Sequence, residues 1–69
     1  MPDPLEQEMA GRARALGAEL EFHEQPGEWV EAAFMRDGML IRGARGGDRQ
    51  GALEALRMDL DLDAEERRP

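Results

Sequence analysis

Arg36-Asp37-Gly38-Met39 constrains this chain more than any other stretch, because it stands between two apolar runs and reads as the tight turn of a β-hairpin. A two-residue type I′ turn needs positive φ at both central positions, which Asp tolerates and Gly adopts freely. Glu28 to Met35 then reads as one strand, Met39 to Ala44 as the next, and Asp48 to Arg57 as a helix behind them.

Upstream, residues 19 to 24 alternate strictly. Leu20 and Phe22 fall on one side and Glu19, Glu21 and His23 on the other, the pattern of a half-buried strand. Gln25-Pro26-Gly27-Glu28 offers Pro and Gly at the two central positions of a type II turn, so this strand becomes the antiparallel neighbour of the next. At the N-terminus, Asp3 suits a helix N-cap, Pro4 the first helical position and Glu6 the capping-box acid. Leu5, Met9, Ala13 and Leu16 form a stripe on one helical face, and Gly17 is placed to end the helix in the left-handed conformation. Gly11 weakens that helix by about 1 kcal/mol relative to Ala. The fold expected is α+β, ordered α-β-β-β-α, a three-stranded antiparallel meander packed with two helices. Residues 1–64 make a single domain and 65–69 a disordered tail.

With two-residue loops the register follows by counting. Arg36 lies opposite Met39, Phe34 opposite Ile41, Ala32 opposite Gly43, and His23 opposite Val30. One sheet face then carries Leu20, Phe22, Trp29, Ala33, Met35 and Leu40, with Glu31 and Arg42 diagonal to each other. The other carries Val30, Ala32, Phe34, Met39 and Ile41, bordered by Glu19, Glu21, His23 and Arg36. A sheet with one wet side should not be apolar on both. Either the helices divide between the faces, or Val30, Ala32, Phe34, Met39 and Ile41 pack on another subunit.

Size points the same way, since a chain of 69 residues buries only about 60% of the surface its unfolded form exposes. There is no Cys for a disulfide, and one His cannot build a zinc centre. Oligomerisation is the remaining source of stability, so a homodimer or a protein partner is expected. Sixteen acids face nine Arg and no Lys, for a net charge of -7, which opposes non-specific phosphate binding. The charge is uneven: minus six over residues 1–35, plus two over 36–58, minus three over 59–69. No apolar run approaches the ~18 residues of a membrane span, and the N-terminus lacks the cationic and apolar blocks of a signal peptide. A cytoplasmic protein without a membrane partner, and without a DNA-binding segment after residue 69, is the expectation.

Three stretches carry residue types suited to chemistry. Asp59-Leu60-Asp61-Leu62-Asp63 opens like a calcium loop, but Ala64 stands where the sharp turn needs Gly, so a solvated acidic helix end is expected and no metal. His23 beside Glu21 and Glu24 has the makings of a base, yet no nucleophile accompanies it, which leaves a surface histidine and no enzyme. Trp29, with Phe22 near it, reads as core. Gly43 to Gly47 reads as a loop whose free amides, with Arg36, Arg42, Arg45 and Arg49, offer anion or nucleic-acid contact. No cofactor is implied.

The order helix, three-stranded meander, helix resembles the double-stranded RNA-binding domain, whose phosphate grip lies at the start of its second helix. Asp48-Arg49-Gln50-Gly51 stand there in place of that family's Lys cluster. Residues 29 to 56 also resemble HicB-type antitoxins, small acidic proteins of toxin-antitoxin pairs. Trp29-Val30-Glu31-Ala32 look like that family's first strand, Gly46 like its Gly, Asp48 takes the capping place and Ala52-Leu53 end the pattern, with Gly51 where Glu is usual. The resemblances imply either a small non-enzymatic protein-interaction module acting as antitoxin or regulator, or an RNA-binding domain using the Arg-bearing loop before the last helix.

Overall fold

A computed structural model describes residues 3–67, with Met1, Pro2, Arg68 and Pro69 outside them. Helix α1 spans Pro4–Ala15, strand β1 Glu19–Gln25, β2 Trp29–Arg36, β3 Met39–Gly46, and helix α2 Arg49–Glu66. This is the expected α-β-β-β-α order, and the strands form one antiparallel sheet in the order β1-β2-β3.

The helix ends follow from their caps. Leu5 N–H donates to Asp3 Oδ1 at 3.0 Å, and Pro4 fills the first helical position, where no amide is needed. At the far end Gly17 takes φ 71°, Gly17 N–H donates to the Arg14 carbonyl at 3.0 Å and Ala18 N–H to the Ala13 carbonyl at 2.8 Å. These two bonds make a Schellman motif, and it tucks Ala18 against the core. Because the helix stops at Ala15, Leu16 leaves the apolar stripe and is 50% exposed, while Leu5, Met9 and Ala13 are buried.

Two local irregularities decide which side of the sheet each residue faces. The β1–β2 loop has three residues, not two: Glu28 N–H donates to the Gln25 carbonyl at 2.9 Å, Gly27 takes φ 76°, and Gln25 pairs with Trp29. A one-residue change of register transfers every side chain of a strand to the opposite face. His23 therefore lies opposite Glu31 instead of Val30, and Leu20 and Phe22 pair with Phe34 and Ala32.

The β2–β3 turn is the expected one, with Asp37 at φ 52°, Gly38 at φ 77° and Arg36 opposite Met39. Beyond Met35↔Leu40, however, a β-bulge places Arg42, not Ile41, opposite Phe34, and Ala44, not Gly43, opposite Ala32. The physical reason is an odd spacing. Ile41 and Ala44 both pack on the core, and residues three apart in a strand share a face only if one extra residue is inserted between them.

Both helices cover the face so formed. The core comprises Leu5, Met9, Ala13, Ala18, Ala32, Phe34, Ala52, Leu53 and Leu56, with Leu20, Phe22, Val30, Ile41, Ala44 and Leu60 packed against it. Phe34 is fully buried at the centre of the middle strand. Truncating such a residue to Ala typically costs about 3–5 kcal/mol. The expected division of helices between two faces is thereby corrected. So is the intersubunit role expected for Val30, Ala32, Phe34 and Ile41, which satisfy their apolar surface within the chain; Met39 alone of that set is exposed.

The two helices run side by side in the same direction, since Arg57 Nη1 lies 3.9 Å from Glu8 Oε1 and Arg12 Nη1 lies 3.0 Å from Asp61 Oδ1. Helix α2 continues through Glu65 and Glu66, so the expected tail is helical there, while Arg68 and Pro69 lie outside the described residues. Arg42 explains part of this extension: its Nη2 reaches Asp63 at 2.8 Å and its Nε reaches Asp59 at 3.5 Å.

Candidate functional site

The sheet face that neither helix covers is the candidate site. Alternation from the core positions assigns to it Glu19, Glu21 and His23 on β1, Trp29, Glu31, Ala33 and Met35 on β2, and Leu40, Gly43 and Arg45 on β3. The bulge matters here, because beyond it Arg42 and Ala44 turn to the helix side and Gly43 and Arg45 to the open side.

Apolar matter on this face is concentrated along its middle. Trp29 and Met35 are half-buried, Ala33 is fully enclosed, and Leu40 is 53% exposed. Ala33 is covered without a helix because its neighbour across the ladder is Gly43, over which longer side chains can fold. A Cβ added to Gly43 would lie 3.2 Å from Leu40 Cδ1 and 3.5 Å from Glu31 Cδ.

A polar chain crosses the upper half of the face. His23 Nδ1 lies 3.1 Å from Glu31 Oε1 and His23 Nε2 3.7 Å from Glu21 Oε1. The second oxygen of Glu31 lies 3.8 Å from Arg45 Nε, and the Arg45 guanidinium sits 3.9 Å from the centre of the Trp29 ring. The Arg–Trp contact is a cation–π pair. Glu31, whose side chain is only 18% exposed, is thus shared between His23 on β1 and Arg45 on β3 and ties the three strands together. The network fixes the relative positions of His23, Glu31, Arg45 and Trp29.

The four Arg expected to contact an anion do not converge. Arg36 donates to the Leu16 carbonyl at 3.2 Å, at the end of the molecule that carries the β2–β3 turn. Arg42 is on the helix side with Asp59 and Asp63. Arg45 is on the open face, and Arg49 reaches Glu24 Oε1 at 3.5 Å with its guanidinium 4.5 Å from the centre of the Phe22 ring. Each is matched by a carboxylate or carbonyl of this chain, and they point in four directions. The loop expected over Gly43 to Gly47 is largely strand, with only Gly47 and Asp48 between β3 and α2.

Asp59, Asp61 and Asp63 do not face a common point either, since Arg42 and Arg12 divide them. Among the described residues no group of three or more His, Cys, Asp or Glu is arranged to hold a metal ion. No helix of the described residues is long and apolar enough to cross a membrane.

Sequence reasoning placed Trp29, Ala33, Met35 and Leu40 on one face but added Leu20 and Phe22 to it. The signal that separates them is Glu31, a charge in mid-strand between Trp29 and Ala33, which marks that side of β2 as the wet one. Comparison with family models, with curated proteins and with solved structures finds no match to this chain.

Proposed function

We propose that this chain is a small non-enzymatic protein-interaction module, and that it docks a more basic protein partner through the open face of its sheet. The observation that carries this reading is the one-sided placement of the helices: Trp29, Met35 and Leu40 remain on a face that no element of the described residues covers. Aromatic residues and methionine are characteristic of interface centres, where an amphipathic ring or a flexible thioether fits a partner's surface. The net charge of -7 favours encounter with a cationic partner over a second copy or a nucleic acid. The resemblance of residues 29 to 56 to HicB-type antitoxins supports the same reading, as those are small acidic proteins acting in a pair with another protein.

The test compares two photo-crosslinking positions in the cells that make the protein. A photoreactive residue replacing Leu40 is expected to give one discrete adduct with a basic protein, and the same residue replacing exposed Glu54 on α2 is expected not to give it. Equal adducts from both positions, or only a dimer of this chain from Leu40, would overturn the proposal.

A further inference from the structure

The open face is small for a protein interface, and an edge of the sheet would extend it. Three strands about 4.8 Å apart and up to 8 residues long at about 3.3 Å per residue span roughly 380 Å², against about 800 Å² for one side of a standard protein interface. The two edges of the sheet differ.

Strand β3 carries a bulge, one of the devices by which proteins blunt an exposed edge. Strand β1 has no bulge, and its charged residues, Glu19, Glu21 and Glu24, are all acidic, so they oppose an acidic incoming strand and not a cationic one. Its ladder with β2 runs without a shift from Glu19↔Met35 to Gln25↔Trp29, and its sequence, Glu-Leu-Glu-Phe-His-Glu-Gln, holds no Pro, Gly, Lys or Arg. As an outer strand it pairs on one side only.

Beside that edge lies a groove of ≈ 700 Å³ between α1 and β1, with Ala10, Leu20 and Phe22 among its lining together with Arg14, Arg49 and the acid Glu6. On the opposite side of the same strand stand exposed Glu19 and Glu21. A strand laid along β1 would alternate between these two environments. Every second side chain would enter the groove beside Leu20 and Phe22, where apolar groups fit. The others would lie next to Glu19 and Glu21 on the open face, where cations fit.

Building on the interaction-module reading, we infer that the free edge of β1 receives an extended segment of the partner in which apolar residues alternate with Arg or Lys. A second copy of the chain is a poor occupant. Pairing β1 with β1 sets an acidic strand against itself, and β3 is interrupted at the bulge.

The probe is a fluorescein-labelled nine-residue peptide alternating Arg and Val, read by fluorescence anisotropy with the intact chain. Its block isomer, with all Arg before all Val, should bind at least about tenfold more weakly, because two well-placed ion pairs and two apolar contacts are lost while total charge is unchanged. N-methylation of every second peptide amide should abolish binding in one phase and spare it in the other, since only one edge of the incoming strand faces β1. Glu19→Arg with Glu21→Arg should remove binding and create affinity for the alternating Glu-Val peptide, circular dichroism checking that the fold persists.

Equal binding by the block isomer, indifference to both N-methyl phases, or no binding of the alternating peptide overturns the edge assignment; the N-methyl comparison does so on the unmodified chain. The Leu40 adduct separates this failure from that of the broader reading. An adduct that persists while the peptide fails leaves an interaction module without a strand-accepting edge.

Discussion

Gly46 is the glycine at which an added Cβ meets the closest contacts. A Cβ there would stand 2.5 Å from the Ala52 nitrogen and 2.5 Å from the Gly51 carbonyl carbon, both backbone atoms of the first turn of α2. Strand and helix meet at this point with no room for a side chain, and backbone cannot swing aside as the end of a lysine can. Gly46→Ala should cost about 1–3 kcal/mol in urea unfolding, the range for forcing extra atoms into a packed site. Gly47 has nothing within 4 Å of its would-be Cβ. Gly47→Ala should change stability by less than about 0.5 kcal/mol, and equal effects at the two positions would refute the close approach. Both glycines read alike in the sequence, as parts of a flexible loop; only the proximity of α2 distinguishes them.

Among elements, α2 departs furthest from its expected length. Its opening was legible: Asp48 accepts from Gly51 N–H at 2.7 Å, and Ala52, Leu53 and Leu56 supply the buried stripe, with Leu60 half-buried. An acidic helix end over Asp59 to Asp63 was legible too, but its continuation through Glu65 and Glu66 was not, because Asp59 and Asp63, one turn apart, repel each other within any isolated helix. Acids at a helix C-terminus also oppose the macrodipole. Arg42 and Arg12, from β3 and α1, answer those charges across the fold. Arg42→Ala should therefore shorten the helix, lowering circular dichroism at 222 nm and speeding amide exchange beyond Leu60. The loss of stability should be modest, about 0.5–1 kcal/mol, as the Arg42 side chain is 33% exposed and the pair is partly screened by solvent. Salt near 1 M should shrink the difference between variant and native chain. A helix of unchanged length in the variant would show that packing alone carries it to Glu66.

At the scale of the whole molecule, a two-layer arrangement with one bare sheet face replaces the doubly covered sheet that strict alternation implied. The chain alone should sediment as a monomer at micromolar concentration. Phe34 and Ile41 are engaged by its own helices, and two bodies each of charge -7 repel. A dimer at that concentration would make a second copy the occupant of the open face. The sequence by itself determined the element order, the helix caps, the Asp37-Gly38 turn and the stripes that bury Met9 and Leu53. These rest on local rules of φ, capping and period, which act within a few residues. Only the tertiary structure decided the rest: a third loop residue at Glu28, a bulge beyond Met35, both helices on one face and four arginines sent four ways. Each of those follows from contacts between segments distant in sequence. A one-residue shift in register scarcely alters local propensity, yet it decides which of two apolar strand faces is enclosed and which is left for a partner.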